Sequence, residues 1–363
     1  MLKVMRKFWH KKLFYKAILN FLLLMLIACY KESYSINSDS NDNIEQLPLP
    51  KSLAIYYGFP SLVNGAKGDL SLALNTFAEY DIVVFGDGLE FRDVVATRRP
   101  TGAGVAEYEN TKKIINLLKE SKRHTSVYGY IDLGNTQNLP ITEIENRARL
   151  WAEMGVAGIF LDEAGYDYGV TRTRQTVAIT TIHNLGLQAF LNAYNLEDLF
   201  ETKIVPLNNV GGGNPNGENP VLGVNDLVLL ESFQIRNGEY DDTYPNRLSQ
   251  AISYREKFNI KLLGVTTILL NQSFNQAQLD YAWWSATLWG INGFGWGEPN
   301  YASSNNLLPK HLLPSLPKDG LGKRFTSDVV QKKPQYLRKT NRGRLFIDLE
   351  NHVGGFKKKS TQS

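Results

Sequence analysis

Eight short apolar runs, separated by segments of helical period, constrain this chain more than any other feature. They run from Leu53 to Gly58, Asp81 to Gly86, Ser126 to Ile131, Gly158 to Asp162, Leu187 to Asn192, Asp226 to Glu231, Lys261 to Thr267 and Gly293 to Trp296. Helix candidates lie between them. In Asn110 to Ser121, Ile114, Leu117 and Leu118 share one face, and in Ile141 to Met154, Ile144, Ala148 and Trp151 do. Continuous apolar strands alternating with helices imply a parallel sheet covered on both faces. Eight such units in about 300 residues predict an α/β chain closed into a (β/α)8 TIM barrel. An open dinucleotide-binding sheet is disfavoured, because Tyr57, Gly58, Phe59, Pro60 after the first strand is neither a Walker loop nor a dinucleotide fingerprint. The Gly- and Asn-rich stretch from Gly211 to Pro220 reads as a long loop between the fifth and sixth strands. Arg344 to Leu349 reads as an extra strand beyond the barrel.

In such a barrel the functional groups sit at the C-terminal ends of the strands. Those ends carry Tyr56 and Tyr57, Asp87 and Glu90, Asp132, Asp162 and Glu163, Asn192 and Tyr194, Glu231, and Trp296 with Glu298 just beyond. The run Gly158, Ile159, Phe160, Leu161 stops on Asp162 and Glu163, and Leu227 to Leu230 stops on Glu231. Carboxylates at the mouth of a dry core cost desolvation energy. Asp162 and Glu231 are expected on strands four and six, facing one cleft. Two carboxylates in unequal surroundings acquire different pKa values and supply an acid and a base or nucleophile, the equipment of a glycosidase. Helix capping is the competing use for Asp162 or Glu163 taken alone, while Asp87, Glu90 and Glu298 read as surface-loop or cap residues. Tyr57, Asp132, Asn192, Tyr194 and Trp296 are the expected substrate contacts, the flat rings stacking on pyranose faces.

Other chemistries find little support. The histidines, His10, His124, His183, His311 and His352, lack zinc-ligand spacing, and no Gly-x-Ser-x-Gly elbow is present. No cofactor and no metal site is expected, with a magnesium site of carboxylates alone left open.

The ends of the chain address location. Six basic and no acidic side chains among residues 1–28, with an apolar run from Ala17 to Ala28, have the form of an export signal too short to span a bilayer, which needs roughly 20 apolar residues. The run ends in Leu26, Ile27, Ala28, Cys29, which resembles a bacterial lipobox, and Cys29 is the only cysteine, so it is the expected site of lipidation. Residues 29–50 are polar and read as a flexible tether, 51–350 as the barrel domain and 351–363, with Lys357, Lys358 and Lys359, as a basic solvated tail. Without residues 1–28 the chain has 34 basic and 36 acidic side chains, a balance that gives no reason to expect a nucleic-acid partner.

The motifs Tyr56, Tyr57, Gly58; Tyr80 to Val84; Tyr128, Gly129, Tyr130; Gly158 to Glu163; and Leu230 to Phe233, taken in order from about Leu53 to Trp296, resemble the spherulin-4 and endo-α-1,4-galactosaminidase clan of glycoside hydrolases. The resemblance implies a TIM barrel acting on α-1,4-linked galactosamine or N-acetylgalactosamine polymers. By position it gives Asp162 and Glu163 as the strand-four acidic pair and Glu231 as the strand-six glutamate. The sequence therefore leads one to expect an extracytoplasmic, lipid-anchored glycosidase at an outer membrane or cell surface. In it Asp162 is nucleophile or charge stabiliser, Glu231 is general acid/base, and Glu163 is a modulator or substrate contact. The alternative is a surface lipoprotein that binds glycans without cutting them.

Overall fold

The computed structural model describes residues 47–92, 104–299 and 306–359. Within them eight parallel strands close a barrel: β1 (Lys51–Tyr56), β2 (Ile82–Phe85), β3 (Ser126–Asp132), β4 (Gly158–Asp162), β5 (Gln188–Asn192), β6 (Leu227–Glu231), β9 (Lys261–Val265) and β10 (Gly293–Gly295). β6 pairs with β9, and β10 returns to β1, which closes the ring. The numbering skips to β9 because a hairpin, β7 (Ile235–Arg236) and β8 (Glu239–Tyr240), intervenes. The chain is thus a (β/α)8 TIM barrel, as the eight apolar runs predict.

Helices follow the strands: α1 (Leu70–Phe77), α2 (Gly104–Glu120), α3 (Ile141–Met154), α4 (Arg172–Asn184), α5 (Glu197–Phe200), α6 (Tyr244–Phe258) and α7 (Gln276–Trp289). Local chemistry fixes their ends. The Asp69, Thr171 and Asn275 side chains accept from the free N–H groups that open α1, α4 and α7. Left-handed Gly155 and Gly290 close α3 and α7. α5 is a single turn. The chain then reaches β6 through a long loop containing the Gly211 to Pro220 stretch, which is tied to the barrel by isolated bridges from Gly213 to Thr171 and Asn214 to Val205.

Alternation along the strands sorts the core into two layers. Leu53, Ile55, Val84, Tyr128, Phe160, Phe190, Leu229 and Leu263 fill the barrel interior. Ala54, Tyr56, Val83, Ile159, Leu161, Leu191, Leu230 and Phe294 face the helices. Gly129 shows how close that second contact is, since a Cβ there would lie within 2.5 Å of the Trp151 ring from α3.

The C-terminal region departs from expectation. The strand expected at Arg344 to Leu349 is β13 (Gly343–Asp348), but it belongs to a four-stranded antiparallel sheet with β11 (Val330–Lys332), β12 (Gln335–Lys339) and β14 (Val353–Lys358). Residues 351–363 were expected as a solvated basic tail. Instead Val353–Lys358 pairs along all of β13, because Leu345 and Ile347 are buried at 0% and 1% exposure against α7 and require a sheet around them. The export signal, the tether up to residue 46 and Cys29 lie outside the described residues.

Candidate functional site

The same alternation that fills the barrel aims the site. Ile55, Phe160, Phe190 and Leu229 point into the interior, so the residues two positions later, Tyr57, Asp162, Asn192 and Glu231, project from the same face at the mouth. They line a cleft of about 410 Å³ together with Glu163, Asp167, Tyr168, Tyr194, Ser232, Arg236 and Asn237.

Asn192 organises the centre. Its Nδ2 donates to Asp162 Oδ1 and to Glu231 Oε2, each at 2.9 Å. The two carboxylate oxygens are therefore no more than twice 2.9 Å apart, and about 5 Å apart where both bonds follow the diverging N–H directions of the amide. Asp162 Oδ1 also accepts from the Glu163 backbone N–H at 3.0 Å, and the Tyr130 hydroxyl donates to the same carboxylate. Burial pushes the Asp162 carboxyl up to about 6. Asn192 opposes that shift, the negative charge of Glu231 adds to it, and the Glu163 N–H and Tyr130 pull it back. Tyr130 itself is pushed up by burial and by the Asp162 charge, so it stays a donor.

Both acidic strand ends are followed by a residue in the left-handed region, Glu163 with φ 53° and Ser232 with φ 57°. Such a conformation is costly outside glycine and persists where surrounding bonds hold it. Glu163 is held by Thr136, whose Oγ1 donates to Oε1 at 2.5 Å and whose backbone N donates to Oε2 at 3.2 Å. Ser232 shares a hydrogen bond with Thr267 at 2.9 Å.

Of the expected substrate contacts, Tyr57, Asn192 and Tyr194 line the cleft. Tyr57 meets Tyr130 edge-on, with centroids 5.2 Å apart. Tyr194 is 47% exposed, and the guanidinium groups of Arg247 and Arg236 lie 4.6 Å and 5.3 Å from its ring centre. Asp132 and Trp296 are placed elsewhere. Asp132 pairs in register with Asp162 but is 1% exposed, because the loop after β3 folds over it and Gly134 and Gln137 donate backbone N–H groups to it. Burial, then the charges of Glu163 and Asp162, push its carboxyl up to about 7. Trp296 shares the parity of outward-facing Phe294, so it lies in a groove of about 570 Å³ on the barrel's flank, edge-on to Phe274.

Asp87 and Glu90 are likewise not surface caps. Both bind the fully buried Arg147 of α3, whose Nη2 and Nε donate to them, and Gln137 Nε2 donates to Asp87 at 2.9 Å. Glu298 accepts from His311. Residues the strand-end reading missed are Tyr130 as a donor to Asp162, Asp167 on the loop after β4, and Arg236 and Asn237 on the β7–β8 hairpin. Tyr130 was legible by parity, two residues after inward Tyr128. The hairpin residues carry no comparable signal. Among the described residues no group of three or more His, Cys, Asp or Glu side chains is arranged to hold a metal ion.

No protein-family model and no curated protein matches this chain. Among solved structures it is similar to 2,3-dimethylmalate lyase, a member of the PEP mutase/isocitrate lyase superfamily, at 14% identity and a TM-score of 0.36 over 68% of this chain and 74% of that one. It is similar to tryptophan synthase subunit alpha from Legionella pneumophila at 13% identity and 0.36, over 69% and 81%. The 4-hydroxy-tetrahydrodipicolinate synthase from Methylacidiphilum fumariolicum gives 12% and 0.35, over 69% of each chain. The likeness is too slight to speak for a reaction or a substrate.

Proposed function

We propose that the cleft hydrolyses glycosidic bonds with retention of configuration, Asp162 serving as nucleophile and Glu231 as general acid/base. The observation that carries this reading is the single amide of Asn192 holding both carboxylates at 2.9 Å. The two oxygens it joins are no more than twice 2.9 Å apart, which favours the close spacing of retaining pairs, about 5 Å, over the roughly 6.5–9.5 Å at which inverting pairs stand to admit a water. Asp162 accepts donors from Asn192, Glu163 and Tyr130, which hold its charge and direction as attack on an anomeric carbon requires. Glu231 donates a proton to the departing glycosidic oxygen. It then takes one from the water that opens the glycosyl ester on Asp162, so the protein returns unchanged. Tyr57, Tyr168 and Tyr194 supply ring faces and hydroxyls for sugar residues on either side.

The resemblance to endo-α-1,4-galactosaminidases supports α-1,4-linked galactosamine or N-acetylgalactosamine polymers as substrate, and the carboxylates of Glu163 and Asp167 in the cleft suit an amino sugar. The reading of residues 1–29 adds a lipid anchor at Cys29 and an envelope location, with a tether whose flexible reach is roughly 25 Å. The test is reducing-end release from such polymers by the parent, D162N and E231Q. Hydrolysis by the parent and its loss in both folded variants is the expected result, and full activity in both refutes the assignment.

A further inference from the structure

Charge is divided unevenly along the chain. Residues 318–359 hold twelve Lys and Arg against four Asp and Glu, whereas residues 47–317 hold twenty-one against twenty-eight. The basic stretch contains the four-stranded sheet, and its register arranges the outer face in rows. Leu345 and Ile347 are buried against α7, so Arg344 and Phe346, which alternate with them, point away from the barrel.

One row across the sheet is Lys339, Arg344, Lys357, each directly opposite the next. All three are exposed, and among the described residues none is paired with a carboxylate. Like charges placed directly opposite repel and destabilise a sheet. Nearby charges are treated differently, Lys358 being paired with Asp319 at 2.7 Å. The neighbouring row is apolar: Val330, Leu337, Phe346 and Gly355. The Phe346 ring packs over Gly355, where a Cβ would approach it to 3.1 Å, and Lys357 Nζ lies 4.9 Å from the ring centre.

We infer that this outer face is a second binding site, separate from the cleft, for a linear anionic polysaccharide running across the strands. Strands are spaced about 4.8 Å apart, so the three cations repeat at close to the rise of one pyranose residue in an extended chain. Carboxylate or sulfate groups on successive sugars meet the cation row, while a sugar ring lies on Phe346 in the apolar row. The anionic chain relieves the repulsion that the free sheet carries.

The test is binding of the full chain to polygalacturonate at low and moderate salt, with neutral dextran as control. The triple variant K339Q/R344Q/K357Q and the single variant F346A are compared with the parent. The parent binds polygalacturonate, not dextran, and weakens steeply with salt. The triple variant loses at least tenfold in affinity while its melting temperature in the absence of polymer stays equal to or above that of the parent, because the repulsion is gone. F346A weakens polygalacturonate binding and leaves binding to polyphosphate, which has no sugar ring, unchanged. The inference is overturned if the triple variant binds as tightly as the parent, or if F346A affects both polymers equally. It is also overturned if the parent is held only by phosphatidylglycerol-containing vesicles, or if the row instead drives a low-salt oligomer that the triple variant abolishes.

Discussion

Replacing Asn192 with Ala removes one donor from two carboxylates at once, and its consequence follows from the sign of the Asp162 shift. Asn192 opposes the burial that lifts the Asp162 carboxyl to about 6. A hydrogen bond to a charged group contributes about 1.5–3 kcal/mol, and one pKa unit corresponds to about 1.36 kcal/mol, so losing it raises the Asp162 carboxyl by roughly one to two units. A nucleophile works only when ionised. The acid limb of kcat/KM therefore moves from near pH 6 in the parent towards pH 7 to 8 in N192A. The bridge also fixes the spacing of the pair, so some loss persists at the alkaline end. The assay is reducing-end release from an amino-sugar polymer between pH 4.5 and 9. An acid limb that stays in place, or moves to lower pH, refutes the role given to Asn192 and with it the bridged pair.

Asp132, buried and lifted to about 7, makes a second pH statement. Its folded value exceeds the unfolded one, so the parent is most stable below about pH 4 with respect to this group and loses that stability as the pH rises to 7. D132N escapes the penalty, and thermal melts will show it gaining on the order of 4 kcal/mol over the parent at pH 8, from about three pKa units at about 1.36 kcal/mol each, but little at pH 4. Tyr194→Ala will raise KM severalfold by removing an exposed ring from the cleft, whereas Trp296→Ala will leave kcat/KM within about twofold because it lies on the flank. Cys29→Ser, checked by membrane fractionation, will release the protein or leave an unprocessed precursor. A variant that stays processed and membrane-bound contradicts the lipid anchor.

How much the sequence disclosed depends on which physical signal each residue carried. Asp162, Asn192 and Glu231 were legible because each ends an apolar strand on the inward parity, two residues after Phe160, Phe190 and Leu229. Trp296 was misread for the same cause in reverse. It extends an apolar run, but Phe294 before it faces outward and β10 already ends at Gly295. Asp132 sits at a strand end with the right parity, and only the fold of the following loop, which a strand pattern does not encode, removes it from the cleft. The Asp87, Glu90 and Arg147 cluster joins residues about 60 positions apart, so its burial is a tertiary fact. In the C-terminal sheet, β11 is wholly exposed and β12 and β14 bury few residues. The lysines at the end of β14 mimicked a solvated tail, and only Leu345 and Ile347 in β13 carried a strand signal.

Asp162 and Glu231 are proposed to act as a retaining pair, and the anomeric form of the first product decides whether they do. Proton NMR of the parent chain cutting an α-1,4-linked galactosamine oligomer, recorded before mutarotation, should show the new reducing end as the α-anomer. A β-anomer formed first would contradict the claim, because inversion calls for the wider carboxylate spacing of roughly 6.5–9.5 Å.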